Sequence, residues 1–245
     1  MRALIIASVL FLTPLLAAAA GGSQVPLEKA NIDLTDQASL QRGAGYFVNY
    51  CMGCHSLQYM RYNRMAEDLG IDELTLRENL IFTDAKPGDL MTISMRAEDG
   101  EQWFGTAVPD LTLVTRWRSP DWLYTFLKTF YSDDARPYGV NNLVFPDVGM
   151  PHVLSARQGV QRALLEPAAE EGAPPKVKGL ELVQAGSMSP SEFDAMVLDL
   201  TNFLTYVGEP VRVERQRLGI YVLLFFGLFF IVAYALKKEY WKDVH

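Results

Sequence analysis

From Leu218 to Leu236 the chain reads LGIYVLLFFGLFFIVAYAL, 19 residues without one charged side chain. At about 1.5 Å of rise per residue, such a helix spans about 28 Å, the thickness of the hydrocarbon core of a bilayer. A helix that buries one face in a soluble domain carries a polar stripe on the other, and this run has none. It is read as a transmembrane helix over 218–236. Arg215 and Arg217 precede it, Lys237 and Lys238 follow it, and Tyr221, Tyr234, Tyr240 and Trp241 stand near its ends. Rings of that kind favour the membrane–water boundary. One late span divides the chain into a large head and a short tail.

The other end has the layout of a secretory signal. Met1 and Arg2 are followed by an uncharged run from Ala3 to Leu16 and by four alanines, Ala17 to Ala20. We expect residues 1–20 to be a signal peptide that is cleaved. Residues 21–211 then form the head, 212–217 a juxtamembrane linker, 218–236 the span and 237–245 a cytoplasmic tail. An exported N-terminus followed by one span places the head in the periplasm. Lys237, Lys238 and Lys242 on the inner side agree with the positive-inside rule. The expected product is a single-pass protein of the cell inner membrane.

The head carries 15 Lys and Arg against 26 Asp and Glu, a net −11 within a chain of net −7. That balance argues against a nucleic-acid partner and favours encounter with basic soluble ones. Helices are signalled at three places in the head. Leu40, Ala44, Phe47, Val48 and Cys51 recur at helical spacing, which predicts a helix over 39–50. Ser119 and Pro120 open the apolar stripe Trp122, Leu123, Phe126, Leu127 and Phe130. Ser189-Pro190-Ser191-Glu192 is a capping box with proline at the first helical position, opening a stripe from Phe193 to Val207 that stops at Gly208. Strand signals are weak, and 71–115 and 132–188 read as long irregular connections. Connections of that length commonly carry a ligand or a partner surface.

The only two cysteines lie in Cys51-Met52-Gly53-Cys54-His55. C-x-x-C-H is the attachment signature of c-type haem: two thiols on one turn of backbone reach the two vinyl groups, and the adjacent imidazole ligates the iron. A redox-active dithiol would be expected on a βαβ scaffold, which this pattern lacks, and a four-ligand zinc site would need both cysteines and two of only three histidines. His55 is therefore the expected proximal ligand of one covalent haem c. For the sixth position the residues leave Met91, Met95, Met150 and His152 open. Met150 lies in FPDVGMPHVL between Pro146 and Pro151, a stiff loop suited to presenting a side chain. Phe47, Leu127 and Phe203 are expected to pack around the group and keep water from it. An electron carrier needs both axial positions filled, whereas a haem gas sensor leaves one open.

Several stretches together resemble the cytochrome c1 family, over nearly the whole mature chain. They are RGAGYFVNYCMGCHSLQYMRYNR at 42–64, VPDLTLVTRWR at 108–118, FPDVGMPHVL at 145–154 and MSPSEFDAMVLDLTNFLTYVGEP at 188–210, followed by the single anchor. The resemblance implies a mainly α, cytochrome c-like haem domain with long irregular insertions and one C-terminal transmembrane helix. It implies His55 and Met150 as axial ligands, Arg118 and Arg116 near the haem propionates, and the Pro109 carbonyl as acceptor for the proximal imidazole N–H. It also implies membership of a dimeric bc1 complex, a quinol–cytochrome c oxidoreductase. Cytochrome b and the Rieske iron–sulfur protein are then neighbours, the latter as electron donor, and a soluble cytochrome c is the acceptor. The sequence departs from the family at His152, where members carry proline or alanine, and in lacking an additional cysteine pair.

Overall fold

The computed structural model describes residues 25–166 and 176–243. The expected signal peptide, residues 1–20, lies outside them, as do the last two residues of the tail. Asp36 caps the first helix, α1 (Gln37–Tyr46), by accepting from the Ser39 N–H at 3.0 Å. The helix does not run on as α to residue 50. It widens into a π-helical turn, Phe47–Cys51, in which the Met52 N–H reaches the Phe47 carbonyl at 2.9 Å. Phe47, Val48 and Cys51 are all buried along this turn.

The chain then alternates short helices with short ribbons. In order come β1 (Leu57–Arg61), α2 (Tyr62–Asp68), α3 (Glu73–Asn79), β2 (Leu90–Met91), α4 (Ala97–Phe104) and α5 (Val114–Trp117). They are followed by α6 (Pro120–Lys128), β3 (Phe130–Ser132), β4 (Val140–Asn142), α7 (Ser155–Gln158), β5 (Gly159–Glu166) and β6 (Lys176–Ala185). Among the described residues the strands pair as three antiparallel ribbons, β1 with β2, β3 with β4 and β5 with β6. These ribbons break up the stretches expected to be irregular. The longest, β5–β6, projects with Leu164, Leu165, Leu182 and Val183 exposed. Its partly covered side carries Gln161 and Ala163 against β3 while those four apolar residues are exposed, so no hydrophobic period-2 signal marks it. Gly159 has φ +95°, and a Cβ there would collide with the Gln184 carbonyl, so the base of this ribbon requires glycine.

The core is built around α8 (Pro190–Gly208), whose capping box forms as the sequence signals: Glu192 accepts from the Ser189 N–H at 2.8 Å. This helix crosses α1 at Gly43, where a Cβ would strike the Asp199 carbonyl and the Phe203 Cβ, so only glycine permits the approach. Beyond the apolar stripe, α8 also buries Asp199, Thr201, Asn202 and Thr205, because α1 and the α5–α6 corner cover it from both sides. Each is satisfied. Asp199 accepts from Arg42 Nε at 2.7 Å, Arg42 Nη2 at 2.9 Å and Ser39 Oγ at 2.6 Å, and the Asn202 amide donates to Ser39 Oγ at 2.8 Å. Thr201 and Thr205 donate to carbonyls one turn back. Buried polar groups are tolerated only under such satisfaction.

The last helix, α9 (Arg212–Tyr240), has 29 residues and buries none of them against the head. Residues 212–217, expected as a linker, are its first turns and continue into the span. Among the described residues it is the one helix long and apolar enough to cross a membrane.

Candidate functional site

The π-helical turn ends at Cys51, and the chain closes tightly behind it: the Cys54 N–H reaches the Cys51 carbonyl at 3.0 Å and the His55 N–H reaches it at 2.9 Å. That turn brings Cys51, Cys54 and His55 to one wall of a cleft. The cleft has two lobes, of about 510 and 1120 Å³, which share Cys51, His55, Thr106, Pro109, Gly149 and Met150 in their walls. The Met150 thioether therefore borders the same space as the imidazole and the thiols. Leu123, Phe126, Leu127, Leu200 and Leu204 make the larger lobe apolar. Of the packing residues expected around it, only Leu127 lines it. Phe47 and Phe203 lie deeper, ring against ring at 5.8 Å in the core under the cleft floor, because the α1–α8 crossing claims them.

His55 Nδ1 lies 2.8 Å from the Pro109 carbonyl oxygen. A carbonyl can only accept, so Nδ1 carries the proton and Nε2 keeps the lone pair available to a metal. The hydrogen bond from the Leu111 N–H to the Ser56 carbonyl, at 3.0 Å, fixes the Pro109 segment against the motif. Burial lowers the His55 pKa, with the Pro109 hydrogen bond opposing, so the ring is neutral. Burial also pushes the Cys51 thiol up to about 12, with Cys54 adding to the rise. A thiol with so little thiolate is a poor nucleophile for disulfide exchange, which weighs against a dithiol oxidoreductase.

Arg118 reaches the larger lobe, and Arg116 does not. The Arg118 guanidinium carbon lies 4.3 Å from the Trp117 ring centroid, 4.9 Å from Trp122 and 5.6 Å from Phe145. Its buried Nε has no hydrogen-bond partner among the described residues. A cation held among rings with a donor unspent suits a carboxylate at the cleft edge. Arg116 instead turns toward Glu209, 3.9 Å away, and packs against Gly208 at the end of α8. The alternation of residues 116 and 118 about the short α5 helix separates them.

The remaining candidates for the sixth position lie elsewhere. Met91 is wholly buried in the ribbon opposite Leu57. Met95 borders a separate polar recess beside Asp110. His152 stacks flat on Phe130, with ring centroids 4.7 Å apart and planes 1° from parallel, and lines neither lobe. Burial pushes the His152 ring down to about 4, with Gln158 opposing in part. Sequence reasoning did not single out Tyr50, Phe104, Trp117 or Phe145, all of which border the cleft. The available signal was aromatic residues beside the cysteine motif, the arginine pair and the loop proline.

One neutral imidazole with its second nitrogen engaged, one thioether, two thiols on a single turn and an apolar slot with an arginine at its edge form a donor set that fits an iron porphyrin with acidic side arms. Among the described residues no cluster of three His, Cys, Asp or Glu suits a bare metal ion.

Comparison with known proteins points the same way. The Cytochrome C1 family pattern matches residues 28–244. The chain is 66% identical over 245 residues, the whole of both chains, to a cytochrome c1 of Allochromatium vinosum. It is 46% identical over 224 residues, 91% of each chain, to a Nitrosomonas europaea protein named ammonia monooxygenase gamma subunit. To a cytochrome c1 of Rhodospirillum rubrum it is 26% identical over 246 residues, covering 85% of this chain and 83% of the relative.

Proposed function

The chain belongs to the cytochrome c1 family, and from that premise we propose that it is the membrane-anchored haem c electron carrier of a bc1 complex, taking single electrons from a Rieske iron–sulfur protein and passing them to a soluble cytochrome c. The observation that carries this reading is the cleft in which Cys51, Cys54, His55 and Met150 meet. Haem c, when bound, supplies a one-electron couple that cycles without binding a reactant.

The protein's own residues do the rest. Cys51 and Cys54 hold the group through two thioethers, so it cannot leave in either redox state. Pro109 fixes the tautomer and plane of His55 and so holds Nε2 as a ligand of constant geometry. Met150 completes the coordination from a loop bounded by prolines, and its thioether favours the ferrous state. Leu123, Leu127, Leu200 and Leu204 exclude water from the face they cover, which raises the potential. Arg118 balances an acidic side arm. Ligands on fixed segments move little between oxidation states, which keeps the cost of each transfer small.

The coupling partners follow from the same reading. α9 anchors the carrier beside cytochrome b, with the head in the periplasm and the tail in the cytoplasm. Quinol chemistry belongs to that neighbour, since one span cannot enclose a quinone. The head's net −11 would draw a basic soluble cytochrome c toward the exposed edge of the group.

Mass spectrometry of the peptide holding Cys51 and Cys54 tests the core of the proposal. A covalent haem adduct on both sulfurs is expected, and free thiols would refute it. The acidic head predicts that reduction of a basic cytochrome c slows as salt rises through the range where the Debye length falls from about 30 Å to about 8 Å. A salt-independent rate would remove electrostatic steering from the account.

A further inference from the structure

The loop proposed to present Met150 has two ends, and they are held by different means. At the near end Asn142, wholly buried, accepts from the Val144 N–H at 2.9 Å and the Phe145 N–H at 3.1 Å, while Asn141 accepts from the Asp147 N–H at 2.8 Å. Arg136 adds an ion pair to Asp147 at 2.8 Å. Beyond this point the hydrogen bonds stop: among the described residues, the backbone of 148–151 makes none. Pro151 cannot donate one. At the far end the His152 carbonyl accepts from the Ser155 N–H at 3.2 Å, and aromatic packing of its ring adds to that hold.

His152 lies flat on Phe130, as described above. Phe130, only 1% exposed, meets Phe126 edge to face at 5.1 Å, and Phe126 stacks on Trp122 at 5.0 Å with planes 7° apart. Trp122 in turn meets Phe145 edge to face at 6.3 Å. The ladder therefore starts at one end of the methionine loop and finishes at the other, and its middle rungs, Trp122 and Phe126, belong to a single helix, α6, and border the cleft. Buried His152 Nε2 has no hydrogen-bond partner among the described residues, so the flat stack on Phe130 is the main contact of that face of the ring.

We infer that His152 is a positioning residue for the sixth ligand: stacked on Phe130, it pins the far end of the Met150 loop to the aromatic stripe that Phe145 pins at the near end. The inference rests on the haem reading above and deepens it. With the stack lost, the Met150 thioether spends more time away from the iron, and a competing ligand gains entry.

The test uses the full-length protein in mild detergent, carbon monoxide as the probe and the midpoint potential as a second readout. Wild type is expected to be inert to carbon monoxide when reduced. A wild type that binds it readily, or carries no haem, would defeat the haem reading itself rather than this inference. H152A is expected to bind carbon monoxide severalfold more, up to about tenfold, the scale of one ring–ring contact, and to have a lowered potential. H152F keeps a flat ring of the same reach and is expected to restore inertness and the wild-type potential. If H152A is as inert as wild type, or H152F is as open as H152A, the positioning role is wrong. Should H152A fail to accumulate, H152F decides alone: a wild-type potential supports the stack, and a shifted one overturns it.

Discussion

Replacing Met150 by alanine yields a high-spin, ligand-accepting haem whose potential falls by roughly a tenth of a volt or more, on a scale where axial ligands set potentials over about 0.8 V. The size of the effect follows from where the other candidates sit. Met91 is enclosed in the β1–β2 ribbon, Met95 borders another recess and His152 is stacked on Phe130, so among the described residues none of the other candidates for the sixth position borders the cleft to replace the lost thioether. Alanine leaves a gap beside Gly149 and Pro151 that carbon monoxide can enter. The loss of a ligand that favours ferrous iron lowers the potential in the same step. Optical spectra of the reduced protein with and without carbon monoxide, together with a redox titration, check it. A wild-type spectrum would remove Met150 from the coordination sphere, and a bis-imidazole spectrum would bring His152 into it.

Ending the chain at Val211 transfers the protein from the membrane to the soluble fraction with its haem intact. The span holds 13 Leu, Ile, Val and Phe between Leu218 and Leu236. At about 0.3–0.6 kcal/mol each, they contribute roughly 4–8 kcal/mol to insertion. The head gives up little in exchange, because α9 contributes no buried residue. The severed ion pair joins exposed Arg215 to half-buried Glu209, which retains Arg116 at 3.9 Å, and its loss costs little stability. Fractionation of cells expressing the truncated chain, followed by a haem stain, reads both outcomes. A truncated head that still sediments with membranes would show that an uncleaved N-terminal segment also anchors it.

Much of this molecule could be read along the chain because the relevant forces act over a few residues. A transmembrane helix needs only its own length and apolarity, and α9 needs no partner to be recognised. The caps at Ser119 and Ser189 satisfy their own first turns, and both helices begin there. Cys51, Cys54 and His55 are brought together by one turn of backbone, so their common wall was legible in a pentapeptide. Even at this range the periodicity did not distinguish the π-helical turn Phe47–Cys51 from α-helix, because its buried residues keep α spacing.

What remained hidden depends on approaches between residues far apart in sequence. Which methionine borders the cleft is decided by the path of residues 143–154 over α6, through contacts that no local pattern records. Arg116 and Arg118 are two positions apart with identical chemistry, yet one turns to Glu209 and the other to the aromatic pocket. The β5–β6 ribbon is invisible to periodicity because its covered side carries Gln161 and Ala163 while its leucines at 164, 165 and 182 are exposed. Local composition thus settled the anchor, the cysteine–histidine motif and the capped helices, since each is stabilised by its own near neighbours. The sulfur offered to that motif, the arginine at the cleft and the ring on which His152 rests were settled only by packing, because their energies come from surfaces that do not exist until the chain has folded.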